Sequence, residues 1–199
     1  MTSTRVYLAS QSPRRRELLA QIGVGYSVLG VDVDETRRPG EAAAVYVERL
    51  AREKAAAGWA LVAAETMPRL PVLGADTVVV VDGDILGKPA DAAAARAMLT
   101  RLSGRSHQVL TGVSLCGELG QFAATGCTTV WFRALSPADI DGYWAGGEPR
   151  DKAGAYGIQG QAALFVERID GSYSNVVGLP LFETAGLLAR YAINPLVNG

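Results

Sequence analysis

The sequence feature that most limits the fold is a valine-rich run, Val72–Val81, that contains one charged residue. Such a run predicts a buried β-strand, and the Asp82-Gly83 pair after it predicts a tight hairpin into Asp84–Leu86. Asp76 lies inside the run, where a carboxylate is costly unless it is paired, protonated or bound to a metal. The pattern therefore indicates a functional carboxylate at Asp76, and the alternative is an Asp that caps a turn at a strand end.

Strands and helices alternate along the rest of the chain. Apolar runs predict further strands at residues 5–10, 26–31, 107–115, 122–132 and 164–169. Helical periodicity predicts helices at residues 13–22, 41–64, 91–102, 136–144 and 181–191. This order indicates an α/β fold with a mixed sheet flanked by helices. With 199 residues the chain fits one large domain or two small lobes, and we treat 1–199 as one domain.

Composition excludes several partners. The net charge is −1, which does not suggest binding to nucleic acid or to a membrane surface, so an anion site must be built locally from a few basic residues. The N-terminus carries no secretory leader and no span-length apolar run, which predicts a soluble cytoplasmic protein. Cys116 and Cys127 could face each other across paired strands, but thiols in such a protein are usually reduced.

A basic turn follows the first predicted strand. Ser12 is placed to be the N-cap of the next helix and Pro13 to be its first residue. Arg14, Arg15 and Arg16 then occupy the first turn, where the helix dipole disfavours cations. A polyanion bound at this helix start would account for the three arginines, because guanidinium groups match phosphate oxygens. The alternative is a solvated basic turn.

Other charged residues could complete a phosphate site. Lys54 lies on the second predicted helix, and Lys88 lies in a stiff Gly-Lys-Pro turn, although either lysine alone could be a plain surface residue. Glu35 could join Asp76 as a second carboxylate, and such a pair suits Mg²⁺ or Mn²⁺ held partly by substrate phosphates. The one histidine, His107, excludes a polyhistidine metal site and is expected to be an ordinary strand-end residue.

A glycine-rich segment covers residues 147–160 and predicts an irregular loop. Its glycines allow the backbone to pass close to a flat ligand, and the Gln159 amide could read the edge of a base. A structural loop whose charged residues pair with each other is the open alternative.

Taken together, these blocks resemble the Maf family of nucleoside triphosphate pyrophosphatases. The matching blocks keep the family order along nearly the whole chain, at residues 10–15, 52–55, 74–77, 87–89, 103–107, 151–160, 171–173 and 176–181. The resemblance implies an elongated mixed sheet in two lobes with a central cleft, related to the inosine triphosphate pyrophosphatase architecture. It also implies a divalent cation and a homodimer, and the Asp-Lys-Ala-Gly-Ala-Tyr-Gly-Ile-Gln-Gly loop looks like the branch that acts on dTTP and UTP.

The resemblance also assigns roles to residues. Asp76 corresponds to the catalytic base, and the base-reading positions fall on Arg14, Thr77 and Gln159. We expect water activated by Asp76, directly or through a metal that Glu35 helps to hold, to attack the α-phosphorus. The groups expected to neutralise the phosphates are Ser10, Arg15, Lys54 and Lys88.

Two alternatives stay open at this stage. The substrate could instead be 7-methyl-GTP or inosine triphosphate, because the Gln159 amide could also serve a purine edge. The protein could also be a non-enzymatic nucleotide-binding regulator of cell division, a role linked to the family. Asp76, Glu35 and the lysines argue against the regulator, because binding alone needs no base beside a phosphate site.

Overall fold

A computed structural model describes residues 5–197 of the chain. It contains strands β1 (Val6–Ala9), β2 (Tyr26–Val28), β3 (Val72–Val81), β4 (Asp84–Leu86), β5 (Ser106–Gly117), β6 (Gly120–Phe132) and β7 (Val166–Asp170). Its helices are α1 (Pro13–Gln21), α2 (Ala43–Ala64), α3 (Ala92–Leu102), α4 (Pro137–Ala145), α5 (Tyr173–Val177) and α6 (Leu181–Arg190). The predicted α/β fold is confirmed, and short 3₁₀ turns replace regular structure between α4 and β7.

The strands of the described chain form one mixed sheet in the order β2-β1-β3-β5-β6-β7, with β4 paired to β3. Strand β1 runs parallel to both neighbours, and its Ala9 is in register with Gly74 of β3. The β3–β4 hairpin and the β6–β7 pair are antiparallel, and β6 has an irregularity between Trp131 and Phe132. The tight turn predicted at Asp82-Gly83 is confirmed, with both residues at positive φ.

The chain divides into two compact units. The first contains described residues 5–76, 111–126 and 178–197, and the second contains residues 77–110 and 127–177. The chain passes from the first unit to the second between Asp76 and Thr77. Strands β3, β5 and β6 each contribute residues to both units. The prediction of a single domain over 1–199 stays a prediction.

In the first unit, glycines allow helix α2 to lie directly on the strands. A Cβ atom added at Gly74 would stand 2.4 Å from the Ala51 carbonyl oxygen, and one at Gly112 would stand 2.3 Å from that of Val47. Either addition would force the helix away from the sheet. The close approach at Gly74 brings α2 against β3 two residues before Asp76.

Most differences from the predicted elements concern their ends. Helix α2 begins at Ala43 rather than at Glu41. The Glu41 N–H donates to the Arg38 carbonyl, and the Glu41 carboxylate accepts a hydrogen bond from Arg49. Strand β7 begins at Val166, because the residues before it form a 3₁₀ turn in which Phe165 N–H donates to Ala162. The five-residue helix α5 was not predicted, since a segment this short has no usable periodicity.

Two further features bear on the sequence predictions. Both cysteines are free thiols, Cys116 buried and Cys127 exposed. In the described part of the chain, no helix combines the length and apolar character that a bilayer span requires.

Candidate functional site

The start of helix α1 carries the first group of predicted site residues. Ser12 occupies the N-cap position and Pro13 opens the helix, as predicted, but the Ser12 hydroxyl makes no capping hydrogen bond. The Ser10 hydroxyl is the group that organises this turn: it accepts the Ser12 N–H at 3.3 Å and a hydrogen bond from Arg15 Nη1 at 3.0 Å. Ser10 thus links the strand end to the first helical turn.

Arg15 is anchored at this turn from two sides. Besides the contact with Ser10, its Nε donates to the Gly178 carbonyl at 2.7 Å. Burial lowers the pKa of Arg15, the nearby charge of Asp76 opposes that shift, and the charge of Arg14 adds to it. A guanidinium keeps its proton in proteins, so Arg15 is a fixed cation close to the Asp76 carboxylate.

Lys54 joins the two predicted carboxylates. Its Nζ lies 2.7 Å from Asp76 Oδ1 and 2.6 Å from Glu35 Oε1. The side chains of Lys54 and Asp76 are 13% and 14% exposed, whereas that of Glu35 is 59% exposed. The carboxylate in the valine-rich strand is therefore paired, which resolves its cost and sets aside the turn-capping alternative.

An ion-pair network that the sequence did not predict joins helix α2, which carries Lys54, to the segment before it. Arg49 makes two hydrogen bonds to the buried Glu41 carboxylate, at 2.6 and 2.8 Å, and one to Glu53 at 3.0 Å. The hydrogen bonds from Arg49 lower the pKa of Glu41 to about 2. Tyr46, under the Arg49 guanidinium, donates its hydroxyl to the Glu35 carbonyl at 2.8 Å. No local spacing signals these contacts, because they depend on how residues 29–42 return to helix α2.

The second unit contains the glycine-rich loop. Its residues form the 3₁₀ turns Glu148–Asp151 and Ala153–Ala155. The Glu148 carboxylate accepts the Tyr143 hydroxyl at 2.8 Å and the Gln161 N–H at 2.9 Å. A Cβ atom at Gly160 would stand 2.3 Å from that carboxylate, so a larger residue there would displace the carboxylate from its present position. The predicted irregular loop is confirmed, and Glu148 is a residue that sequence reasoning missed.

Lys88 and Gln159 are the exposed polar residues of this unit that were predicted to meet substrate. The Gly154 N–H donates to the Gly87 carbonyl at 3.0 Å, which ties the loop to the residue before Lys88. Gly154 has φ +67°, and an added Cβ would stand 2.9 Å from Val79, so only glycine suits this position.

His107 lies at the start of β5, as expected, and is buried among aromatic rings. Its Nε2 is 2.7 Å from the Tyr156 hydroxyl, and its ring meets Phe132 edge to face. Within residues 5–197 its Nδ1 has no hydrogen-bond partner. Burial lowers the pKa of His107 to about 4, so the imidazole is neutral near pH 7. We conclude that His107 supports the core of the second unit.

The predicted residues thus fall into two groups by unit. The first unit holds Ser10, Arg14, Arg15, Glu35, Lys54 and Asp76, and it brings the last three into direct contact with one another through Lys54. The second unit holds Thr77, Lys88 and Gln159. Among the described residues there is no cluster of three or more His, Cys, Asp or Glu side chains suited to a metal ion. A metal would therefore rely on the two carboxylates and on ligands from the substrate and water.

Comparison with known proteins adds to this geometry. A family model described as Maf-like protein matches residues 5–191. The dTTP/UTP pyrophosphatase of Chromobacterium violaceum is 55% identical over 188 residues, covering 94% of this chain and 95% of that protein. The dTTP/UTP pyrophosphatase of Hahella chejuensis is 56% identical over 189 residues, covering 95% of this chain and 93% of that protein. A solved nucleoside-triphosphatase / dITP/XTP pyrophosphatase from Mycobacterium abscessus aligns over 71% of this chain and 93% of that one, at 18% identity and a TM-score of 0.42.

Proposed function

Because this chain belongs to the Maf family, we propose that it hydrolyses dTTP and UTP to the nucleoside monophosphate and pyrophosphate. The support for the substrate is the high identity, over nearly the whole chain, to relatives named dTTP/UTP pyrophosphatase. The structural observation that carries the proposal is the Lys54 ammonium, held between Glu35 and Asp76 in the unit that also presents Ser10 and Arg15.

The proposed chemistry is one in-line displacement. A water oxygen attacks the α-phosphorus, the bond between that phosphorus and the oxygen bridging to the β-phosphorus breaks, and pyrophosphate leaves. Asp76 accepts the proton of the attacking water, and we assign this task to its Oδ2, since Lys54 contacts Oδ1. Lys54 keeps the carboxylate oriented while it acts, and Lys54 and Ser10 stay assigned to the substrate phosphates.

Charge on the phosphates is met by fixed groups of the first unit. Arg15 is held by Ser10 and by the Gly178 carbonyl, so little side-chain freedom is lost when it binds a phosphate. The positive end of helix α1 adds to this potential. Such preorganised charge stabilises a phosphoryl-transfer transition state, in which negative charge spreads over the phosphate oxygens.

The carboxylates present fit a divalent cation. Glu35 and Asp76 already share one positive group, the Lys54 ammonium, and carboxylate oxygens are the ligands that Mg²⁺ and Mn²⁺ prefer. We propose that Glu35 and Asp76 hold such an ion together with substrate phosphates and water. When bound, the ion polarises phosphoryl oxygens as a Lewis acid.

The remaining predicted residues complete the proposal. Lys88 is assigned to a substrate phosphate, and its exposed ammonium on a proline-stiffened turn supports this role. Gln159 is exposed on the loop built around Glu148, and with Arg14 and Thr77 it is assigned to reading the base. We further propose a cytoplasmic homodimer, from the family resemblance and from the intracellular location of nucleoside triphosphates.

The test of this proposal is a substrate panel with the metal varied. The purified protein is given dTTP, UTP, 7-methyl-GTP and inosine triphosphate, each with Mg²⁺, with Mn²⁺ or with a chelator, and released pyrophosphate is measured. We expect the highest kcat/KM with dTTP and UTP and a loss of turnover in chelator.

The alternatives give different results in the same panel. The highest kcat/KM on 7-methyl-GTP or inosine triphosphate would contradict the substrate assignment. Tight nucleotide binding without pyrophosphate release, with either metal present, would contradict the enzymatic proposal and favour a regulator.

A further inference from the structure

The position of Glu35 is not fixed by the segment of chain in which it lies. It lies in residues 29–42, which contain no regular helix or strand, and its side chain is 59% exposed. An exposed carboxylate on an irregular segment has many rotamers and backbone states available to it. Its contact with Lys54 therefore requires that the main chain at this residue be fixed by something else.

Two side chains of helix α2 fix that main chain. The Tyr46 hydroxyl donates to the Glu35 carbonyl at 2.8 Å, and Arg49 Nη2 donates to the Thr36 carbonyl at 3.1 Å. Within the segment, the Thr36 N–H is bound by the Asp34 carboxylate at 2.9 Å. Two consecutive carbonyls are thus attached to the helix that also carries Lys54.

The Arg49 guanidinium is itself held by a buried ion pair. Its fork binds the Glu41 carboxylate with two hydrogen bonds, and the side chains of Arg49 and Glu41 are 11% and 5% exposed. A buried, bidentate pair of this kind has a single geometry and is only weakly screened by salt. Arg49 also contacts the Tyr46 ring, with 5.5 Å from its Cζ to the ring centroid, so the arginine supports the tyrosine.

The Tyr46 hydroxyl stays protonated, as its hydrogen bond to the Glu35 carbonyl requires. Burial, together with the charges of Asp76 and Glu35, raises its pKa, so it keeps its proton at neutral pH.

We propose that Tyr46 is a positioning residue for Glu35, and that the Arg49–Glu41 ion pair holds both Tyr46 and the residue 35–36 main chain in place. Tyr46 acts through Glu35 and does not touch the reacting atoms. This role rests on the proposed function, because Glu35 matters to turnover only if the Lys54 group is the catalytic site.

The test removes one hydroxyl. Tyr46→Phe keeps the ring and loses one hydrogen bond, the one to the Glu35 carbonyl. We expect kcat with dTTP to fall by about fivefold. The matched control is Tyr191→Phe, which also removes a hydroxyl-to-carbonyl hydrogen bond, to Gly120, in the same unit, and should leave kcat unchanged.

A double-mutant cycle separates positioning from a general loss of structure. If Tyr46 acts through Glu35, adding Tyr46→Phe to Glu35→Gln should cost no further activity, because the oriented carboxylate is already gone. Arg49→Lys keeps the charge but loses the fork, and like Tyr46→Phe it should lower kcat in the wild type and cost no further activity in the Glu35→Gln background. An equal loss in both backgrounds, or no loss of kcat from Tyr46→Phe alone, would overturn the positioning role.

Hydrogen exchange tests the same contact without substrate. Amides of residues 29–42 should exchange faster in Tyr46→Phe than in the wild type, and Tyr191→Phe should leave them unchanged. Unchanged exchange in Tyr46→Phe would overturn the inference even if the protein has no pyrophosphatase activity. A wild type that does not hydrolyse dTTP or UTP would instead contradict the proposed function.

Discussion

The lysine–carboxylate group of the first unit and the glycine-rich loop of the second are ordered by opposite means. In the first, regular elements carry two of the three side chains, and Lys54 on helix α2 meets Asp76 on strand β3 because Gly74 lets the two elements touch. In the second, no long element is present, and the Glu148 carboxylate organises the surrounding tyrosine and main-chain groups. Charged side chains thus form the proposed catalytic group in one region and shape a loop in the other.

The two regions also differ in the charge state of their buried groups. Around Lys54, one ammonium contacts the two carboxylates of Glu35 and Asp76. Around the loop, His107, Tyr143 and Tyr156 are neutral, because burial lowers the pKa of the histidine and raises those of the two tyrosines. Changes to the first region should therefore alter the rate, whereas changes to the second should alter stability or substrate affinity.

The largest expected effect is on Asp76, the carboxylate proposed to be the catalytic base. Asp76→Asn removes the proposed base while keeping the shape of the side chain, and kcat should fall by about 10²–10⁴-fold with the fold retained. Pyrophosphate release and a circular-dichroism melting curve measure the two expectations. Asp82→Asn is the matched control, because Asp82 is exposed in the hairpin turn. Activity of Asp76→Asn near that of the control would exclude Asp76 as the base.

The sequence predicted the features that depend on neighbouring residues and missed those that depend on long-range packing. The strand Val72–Val81, its hairpin and the start of helix α1 were predicted because strand propensity, turn residues and Pro13 are local signals. Asp76, Glu35 and Lys54 were each identified, but the Lys54–Asp76 contact depends on the packing of α2 against Gly74, and the Lys54–Glu35 contact depends on the path of residues 29–42. No sequence spacing encodes either.

Some contacts had no sequence signal at all. The Arg49–Glu41 pair was missed because Glu41 was assigned to helix α2. Glu41 instead precedes that helix, and its carboxylate points back to Arg49. The closing of the loop around Glu148 was missed because glycine density predicts irregular structure without saying which side chain fills it. Both are contacts between a side chain and a segment whose path depends on tertiary structure.

The next effect concerns the buried histidine. Its folded-state pKa of about 4 lies below the usual 6.5, so its contribution to stability is fully present above pH 6.5 and is lost as pH falls toward 4. The shift corresponds to a loss on the order of 3 kcal/mol across that window. Because His107 is the one histidine in the chain, its imidazole NMR signals can be followed without ambiguity.

We expect those signals to stay at their neutral positions down to about pH 5. Denaturation of His107→Gln at pH 7 and pH 4.5 gives the matched comparison, since the variant lacks the titrating ring but keeps a polar group facing Tyr156. Its stability should depend less on pH than that of the wild type. A midpoint near 6.5 in the NMR titration would show that the ring is not buried in this way.

The smallest effect should come from the carboxylate that shapes the loop. Glu148→Gln keeps the size of the side chain but offers one acceptor oxygen where two now serve Tyr143 and the Gln161 N–H. Loss of a hydrogen bond to a charged group should loosen the Gln159 segment and raise KM for dTTP by about tenfold, equivalent to about 1.4 kcal/mol, with a smaller change in kcat.

Glu167→Gln provides the control for this prediction, because Glu167 is an exposed glutamate on strand β7 of the same unit. If Glu148 shapes the surface that recognises the base, its variant should also reduce the preference for dTTP over CTP, whereas the control should leave both constants unchanged. A fall in kcat with KM and preference unchanged would place Glu148 with the chemical group instead. The two regions would then not divide rate from recognition.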